Sequence, residues 1–332
     1  MSGVPMRLCH RCKSARLAIG VIVGSLSLSA VAPARGDFVP GRLYLGGQYI
    51  FDTGAINYDM VWEFDPLTGT SRRFWEATGI RGQLGAVEFT PDGSRLRVAM
   101  FGSSRIYEVD GDGNGAQVMS SADGLNGPHG MTYGPNGDFY VVNTNAFQIL
   151  RYPAAGGPPT VFADAADGVN GGGTIQFAPS GDLYYAQYGL GNREVHRITQ
   201  AGVGSLFAMM PSSLGSLTID TLGNVFVFGS FGVWRFDYEN AVTGRQIVPG
   251  QPSGWGGRIH LSIDENYIYQ GGNRVLRVPV EGGQWSDLGL IEMPPGYTLS
   301  FDTFDIYVPE PGAGLLFCVG LLTCAGIARR SG

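Results

Sequence analysis

The chain has 332 residues, 44% of them hydrophobic, with 53 glycines and a formal net charge of −6. That length and apolar content suit a folded body of one large domain or two ordinary ones, and the glycine load favours many tight turns over disorder. Residues 35–308 hold 16 arginines, no lysine and 27 carboxylates, a formal charge of −11 that repels phosphate backbones and excludes nucleic acid as a natural partner.

The N-terminus reads as a secretory leader. Arg7, Arg11, Lys13 and Arg16 form a basic stretch, residues 17–28 an apolar core too short for a membrane span, and Ala32-Pro33-Ala34 a small-x-small cleavage site. Residues 1–34 are therefore expected to be removed by signal peptidase, leaving a mature start at Arg35. Cys9 and Cys12 have C-x-x-C spacing, but they lie in this leader with no second pair. The other two cysteines, Cys318 and Cys324, lie in the C-terminal tail, so the body must fold without disulfides.

From residue 37 onward a repeat sets the fold. Turn glycines recur at Gly41, Gly93, Gly137, Gly181 and Gly223, spaced 52, 44, 44 and 42 residues apart, and a sixth copy replaces the glycine with Glu265-Asn266. The longest interval is read as carrying an extra loop over residues 52–59. Each copy runs an apolar alternating strand, a glycine turn, a second alternating strand and a polar loop. A third strand then follows, such as RIYEVD, QILRYP or GVWRFD. A fourth, more variable strand closes each unit, and no segment holds a helical period. Period two means strands, and four short strands per unit of 40–45 residues make a blade of a β-propeller. The first copy lacks an inner strand, and residues 297–308 supply an orphan that fits the vacancy. The expectation is an all-β, six-bladed propeller over 35–308, closed by pairing the first and last segments; a seventh partial blade would arise if 304–308 formed a strand of its own.

Candidate site residues follow from comparing equivalent positions. Eight residues before the turn stand Gly85, His129, Gly173 and Gly215, with Ile259 taken as the sixth counterpart, so one imidazole faces an axis otherwise built from glycines. After the second strands stand Met100, Asn143, Gln187 and Gly229, of which Asn143 and Gln187 offer side-chain oxygens. His129, Asn143 and Gln187 are thus the candidate channel or ligand-binding residues, joined by Trp255, a glycine-flanked loop indole able to stack on a sugar. Neither ring, in this register, contains an acidic residue. Asp110, Asp112 and Asn114 carry the first half of a calcium loop, but Ser121 stands where a bidentate glutamate would be. The plain alternative is a hairpin turn in which Asp, Asn and Gly tolerate positive φ. No G-x-S-x-G, H-E-x-x-H or phosphate-cradling motif occurs, and no complete catalytic set is visible.

At the C-terminus, Pro309-Glu310-Pro311 precedes an apolar run over 312–328 and then Arg329-Arg330. Seventeen helical residues span about 25 Å, enough for a single membrane helix held by a basic cytoplasmic stop. This order of elements resembles the PEP-CTERM sorting signal of bacterial exosortase substrates, assigned to residues 309–330. The resemblance implies processing near Pro309-Glu310-Pro311 by an exosortase. It further implies an inner-membrane-anchored precursor and export to the surface or extracellular polysaccharide matrix of a Gram-negative bacterium. The body, with Gly127–Asn143 as its clearest copy, resembles NHL and gluconolactonase-like six-bladed propellers, a repeat grammar shared by many activities. In the lactonase-like group a divalent cation sits at the channel mouth on carboxylate and Asn ligands. Two expectations follow: a non-catalytic surface or matrix protein binding an exopolysaccharide or another surface protein, and, as the alternative, a secreted lactonase-like or streptogramin-lyase-like enzyme.

Overall fold

The computed structural model describes residues 37–51, 56–77, 82–189, 191–238, 243–250, 257–291 and 297–307, all within one compact unit that starts at Pro33. The leader, the 309–330 signal and Trp255 lie outside the described residues.

Six four-stranded antiparallel sheets form the blades of a propeller. Blade 1 has the inner strand Tyr297–Ile306, followed outward by Leu43–Phe51, Ile56–Asp65 and Thr70–Glu76. Blade 2 runs Leu84–Phe89, Leu96–Met100, Arg105–Val109 and Gly115–Met119. Blade 3 runs Pro128–Tyr133, Phe139–Asn143, Gln148–Tyr152 and Thr160–Ala163. Blade 4 runs Gly173–Phe177, Leu183–Gln187, Glu194–Ile198 and Gly204–Met209. Blade 5 runs Leu214–Ile219, Val225–Gly229, Gly232–Phe236 and Arg245–Pro249. Blade 6 runs Ile259–Leu261, Tyr267–Gln270, Arg274–Pro279 and Ser286–Leu290.

The orphan segment closes the ring as expected, pairing antiparallel with Leu43–Phe51 from Leu43↔Ile306 to Phe51↔Tyr297. It is one continuous strand, so there is no seventh blade among the described residues. Of the extra loop expected over 52–59, residues 56–59 are instead part of the strand Ile56–Asp65, which pairs with Leu43–Phe51, and 52–55 lie outside the described residues.

The second strands are apolar on both faces because each blade is sandwiched between two others. In blade 5, Val225 and Val227 pack toward blade 4 while Phe226 and Phe228 pack toward blade 6. Among the described residues the core divides into six clusters, one at each blade interface. Trp62, Trp75, Trp234 and Trp285 pack in or against these clusters.

Inner strands fan apart around the axis and cannot pair with one another, so their free edge amides need other acceptors. Side chains of the neighbouring blade supply them. Val87 N–H donates to Thr303 Oγ1 (3.3 Å), Phe89 N–H to Asp305 Oδ2 (2.9 Å) and Ile259 N–H to Ser216 Oγ (2.8 Å). Ile219 N–H donates to Gln176 Oε1 (3.0 Å) while Gln176 Nε2 returns a bond to the Ile219 carbonyl (3.3 Å).

Candidate functional site

The turn hydrogen bond fixes the register of the inner strands of blades 2 to 6. Gly93, Gly137, Gly181 and Gly223 each donate their N–H to the carbonyl three residues earlier, and in blade 6 the same bond comes from Glu265, at φ 53°. The counterpart of His129 in blade 6 is therefore Gly257, not Ile259, which corrects the sequence register by two residues. At the mouth the strands approach so closely that side chains are squeezed out. A Cβ on Gly85 would lie 2.5 Å from the Pro128 carbonyl oxygen, and one on Gly130 would lie 2.2 Å from the Gly173 carbonyl oxygen.

His129 is 8% exposed at this mouth. The Arg258 Nη2 donates to its Nδ1 (3.2 Å) and to the Gly85 carbonyl (2.7 Å). A guanidinium only donates, so Nδ1 is the unprotonated ring nitrogen and the proton is assigned to Nε2. Burial, reinforced by the Arg258 charge and only partly opposed by a backbone bond to Gly173, pushes the imidazole down to about 3. The ring is thus neutral across the physiological range and poorly matched to proton transfer near pH 7. The ring is packed among aromatic side chains instead. Tyr188 stacks on it at 5.8 Å and 25°, and Phe101 meets it edge-on at 6.4 Å. Phe101 and Tyr188 come from the loops after the second strands of blades 2 and 4. The corresponding loop of blade 3 presents Phe147, 49% exposed and held at φ 55°. A bulky residue held in left-handed backbone is strained, a feature that clusters at binding sites.

Three residues deeper, about 10 Å along extended strands, lies a polar belt that the sequence comparison missed. Five positions before the turn stand Glu88, Thr132, Gln176, Thr218 and His260, with Asp305 in the blade-1 strand. They line a cavity of about 90 Å³ on the axis. His260 Nε2 pairs with Asp305 Oδ1 (3.0 Å), and its Nδ1 donates to the Leu261 carbonyl (2.8 Å). Burial works against protonating His260, but the bond to and charge of Asp305 outweigh it and raise the imidazole above its usual value. Desolvation and then the Asp305 charge push the Glu88 carboxyl well above the carboxylate range, against a bond from Thr132 and the Arg258 charge. Among the described residues, no three His, Cys, Asp or Glu side chains are placed to hold a metal ion.

Asn143 is buried and committed to the entry loop of blade 3. Its Oδ1 accepts from Asn126 N–H (2.5 Å) and its Nδ2 donates to the Gly124 carbonyl (3.1 Å). Gln187 donates to the Asn170 carbonyl (2.8 Å) and flanks the 171–172 segment that also touches His129. Asp110 and Asn114 are far from the axis, in the turn between the outer strands of blade 2. There Asp110 Oδ1 accepts from the N–H groups of Asp112 (3.1 Å) and Asn114 (2.9 Å), and Asn114 Nδ2 bonds back to both Asp110 oxygens (3.2 Å each). Asp220 and Asn224 build the same kind of turn in blade 5.

Residues 125–152, which make up most of blade 3, match the NHL repeat. No curated protein sequence matches the chain. Among solved structures, a chain of a nidogen/laminin complex superposes with a TM-score of 0.63 at 12% identity, covering 81% of this chain and 99% of that one. A gluconolactonase from Xanthomonas campestris gives 0.56 at 17% identity over 73% and 87% of the two chains. Virginiamycin B lyase from Staphylococcus aureus gives 0.51 at 17% over 74% and 85%. At these identities the likeness is one of fold.

Proposed function

We propose that this is an exported propeller that binds a glycan or a surface-protein partner on its channel-mouth face without turning it over. The observation that carries this reading is the aromatic cluster of Phe101, His129 and Tyr188 across three blades, in which Tyr188 is exposed to water and the buried ring behind it is fixed by Arg258. Aromatic faces at a wet rim suit a pyranose ring or an aromatic-rich epitope, with Gln187 at the edge as a polar contact. Catalysis is disfavoured because the groups able to move protons are occupied or out of reach. His129 is held neutral, Asp305 is bound to Phe89 N–H and His260, and the cavity that Asp305 borders is too small for a sugar or lactone ring.

Export and sorting complete the reading. The leader over 1–34, Pro309-Glu310-Pro311, the apolar run and Arg329-Arg330 occur in the order an exosortase substrate requires. The last inner strand starts at the mouth and ends at the opposite, turn face, where Gly41 N–H donates to the Tyr307 carbonyl (3.0 Å). A precursor anchored through 312–328 would therefore present its mouth face away from the membrane. The test is calorimetric titration of the full chain with a panel of neutral and acidic oligosaccharides, alongside Tyr188→Ala. At least one oligosaccharide should bind unchanged and lose about tenfold or more in affinity in the variant, the size of one stacking contact. Binding indifferent to Tyr188, or conversion of the bound sugar, would refute the proposal.

A further inference from the structure

The mouth loops carry several amide side chains, and what their nitrogens meet fixes which way they point. Gln187 Nε2 donates to the Asn170 carbonyl (2.8 Å), Asn192 Nδ2 to the Tyr188 carbonyl (2.9 Å) and Asn170 Nδ2 to the Gly168 carbonyl (3.4 Å). A backbone carbonyl only accepts, so in each case the NH2 end is held and the oxygen end is left over. Among the described residues, no donor reaches Gln187 Oε1, Asn170 Oδ1 or Asn192 Oδ1. Asn170 is exposed and the other two are half-buried. On the side of blades 2 and 3, Asn145 Nδ2 donates to Asn126 Oδ1 (3.2 Å), which leaves one oxygen and one NH2 of that pair.

These oxygens flank the aromatic cluster. Gln187 precedes Tyr188 in the chain, Asn192 is bonded to it, and a Cβ on Gly172, two residues after Asn170, would lie 3.1 Å from the His129 ring. Asn145 stands beside Phe101, since a Cβ on Gly127 would lie 2.7 Å from Asn145 Nδ2 and 2.9 Å from Phe101 Cε2. Among the described residues, no hydrogen bond or ion pair joins a cation to any of these amides. Arg258 is bonded to Gly85 and His129, Arg193 Nε donates to the Met210 carbonyl (2.6 Å), and Arg105 starts the third strand of blade 2, outside the second-strand loops. The acids of the same loops keep the field negative: Asp164 and Asp167 cap one short turn, and Glu194 pairs with His196 (3.0 Å).

We propose that the ligand of this face is a neutral, hydroxyl-rich glycan, whose hydroxyls donate to the oxygens of Asn170, Gln187 and Asn192 while its rings lie against Tyr188 and Phe101, and that uronic-acid glycans are rejected. The inference rests on the glycan reading above and narrows it. A sugar hydroxyl donates as readily as it accepts, so it satisfies a row of acceptors. A carboxylate only accepts, so in the same place it loses its water, finds no donor and faces a negative field.

The test is calorimetric titration of the full chain with neutral hexasaccharides of the cellulose, xylan and starch types and with hexagalacturonate and hexaguluronate, in the parent and in Tyr188→Ala, Asn170→Ala and Asn170→Asp. At least one neutral sugar should bind in a Tyr188-dependent way, about tenfold or more tighter than either uronate, the cost of one carboxylate without a donor. Its affinity should hold from about 0.05 to 0.5 M salt, because no ion pair is involved. Asn170→Ala should lose about two- to tenfold, one neutral hydrogen bond, whereas Asn170→Asp keeps the acceptor and should bind the neutral sugar at least as tightly. Asn170 is an exposed loop residue, so both variants keep the fold, and an unchanged melting midpoint verifies that. A uronate that binds as tightly as the best neutral sugar and is lost in Tyr188→Ala would overturn this inference and leave the proposed function standing. Full affinity in Asn170→Ala, or loss of binding in Asn170→Asp, would overturn it in the same way. Absence of any Tyr188-dependent binding would instead refute the proposed function, and the inference with it.

Discussion

Asp305 joins three inner strands, and replacing it by alanine should be among the most damaging single changes in the channel. Its Oδ2 accepts from Phe89 N–H in blade 2 (2.9 Å), and its Oδ1 pairs with His260 in blade 6 (3.0 Å) and accepts from Ile306 N–H (2.8 Å). Orphaning the Phe89 amide at a blade interface costs roughly 1–3 kcal/mol. Breaking a fully buried ion pair costs about 3–5 kcal/mol, reduced here because His260 keeps 30% of its side chain exposed and because Glu88 is relieved of a like charge. A net loss of about 2–4 kcal/mol is expected, or roughly 5–12 °C in melting midpoint for a domain of this size. Asp305→Asn keeps a carbonyl for the Phe89 amide and removes the charge facing Glu88, so it should cost about 1 kcal/mol, one neutral hydrogen bond's worth. Calorimetric melting of the parent and both variants measures the series. An alanine variant within about 0.5 kcal/mol of the parent, the range of an ordinary surface change, or an asparagine as damaging as alanine, would refute the reasoning.

Four further outcomes follow. Glu88 and His260 both hold protons more tightly folded than unfolded, so their stabilisation is complete below about pH 4.3 and 6.5 respectively and is lost as pH rises through their folded values. Carboxylates held low, such as Asp138, add stability lost only in stronger acid. Melting midpoints should therefore fall between pH 5 and 9, with Glu88→Gln flattening the early part of the decline; a midpoint rising over that range would contradict the assignment. The His129 ring resonances should not titrate between pH 5 and 8 by NMR, and a midpoint near 6.5 would mean the ring is not held by Arg258 as described. Glu265 is held at φ 53° while its carboxylate accepts from Thr221 N–H (2.9 Å) and Oγ1 (2.8 Å). Glu265→Ala, which keeps the strain and loses both bonds, should cost about 1–2 kcal/mol, whereas Glu265→Gly regains about 1 kcal/mol by relaxing the backbone; equal losses by urea denaturation would contradict this. Millimolar calcium should leave the melting midpoint unchanged, because Asp110 is already bonded within its turn; a clear rise would instead support Asp110, Asp112 and Asn114 as a calcium site.

The blades and their closure were legible in the sequence because strand periodicity and turn glycines are local signals. Residues 297–308 could be assigned to blade 1 because the first copy visibly lacked an inner strand, and an open edge is costly. The site was legible only in part. His129 stood out as an imidazole among glycines, but its role depends on Arg258, 129 positions away and aligned two residues out of register. The misalignment arose because Glu265 occupies the left-handed turn position that glycine holds in the neighbouring copies, so the visible anchor was absent. Glu88 and His260 of the belt had a readable signal, a polar residue five positions before the turn in blades 2 to 6. It was missed because the comparison was made only at the mouth. Whether Tyr188 stacks on His129 or points to solvent is a matter of side-chain packing, which no spacing encodes.

The most direct test of the account is to locate a bound oligosaccharide by hydrogen exchange on the full chain, comparing free and saturated protein. The account predicts slowed exchange in the loops around Phe101, Phe147 and Tyr188, with no product formed on long incubation and no change on the turn face near Gly93 and Gly181. Protection confined to the turn face or the outer strands, or depletion of the sugar with time, would contradict it.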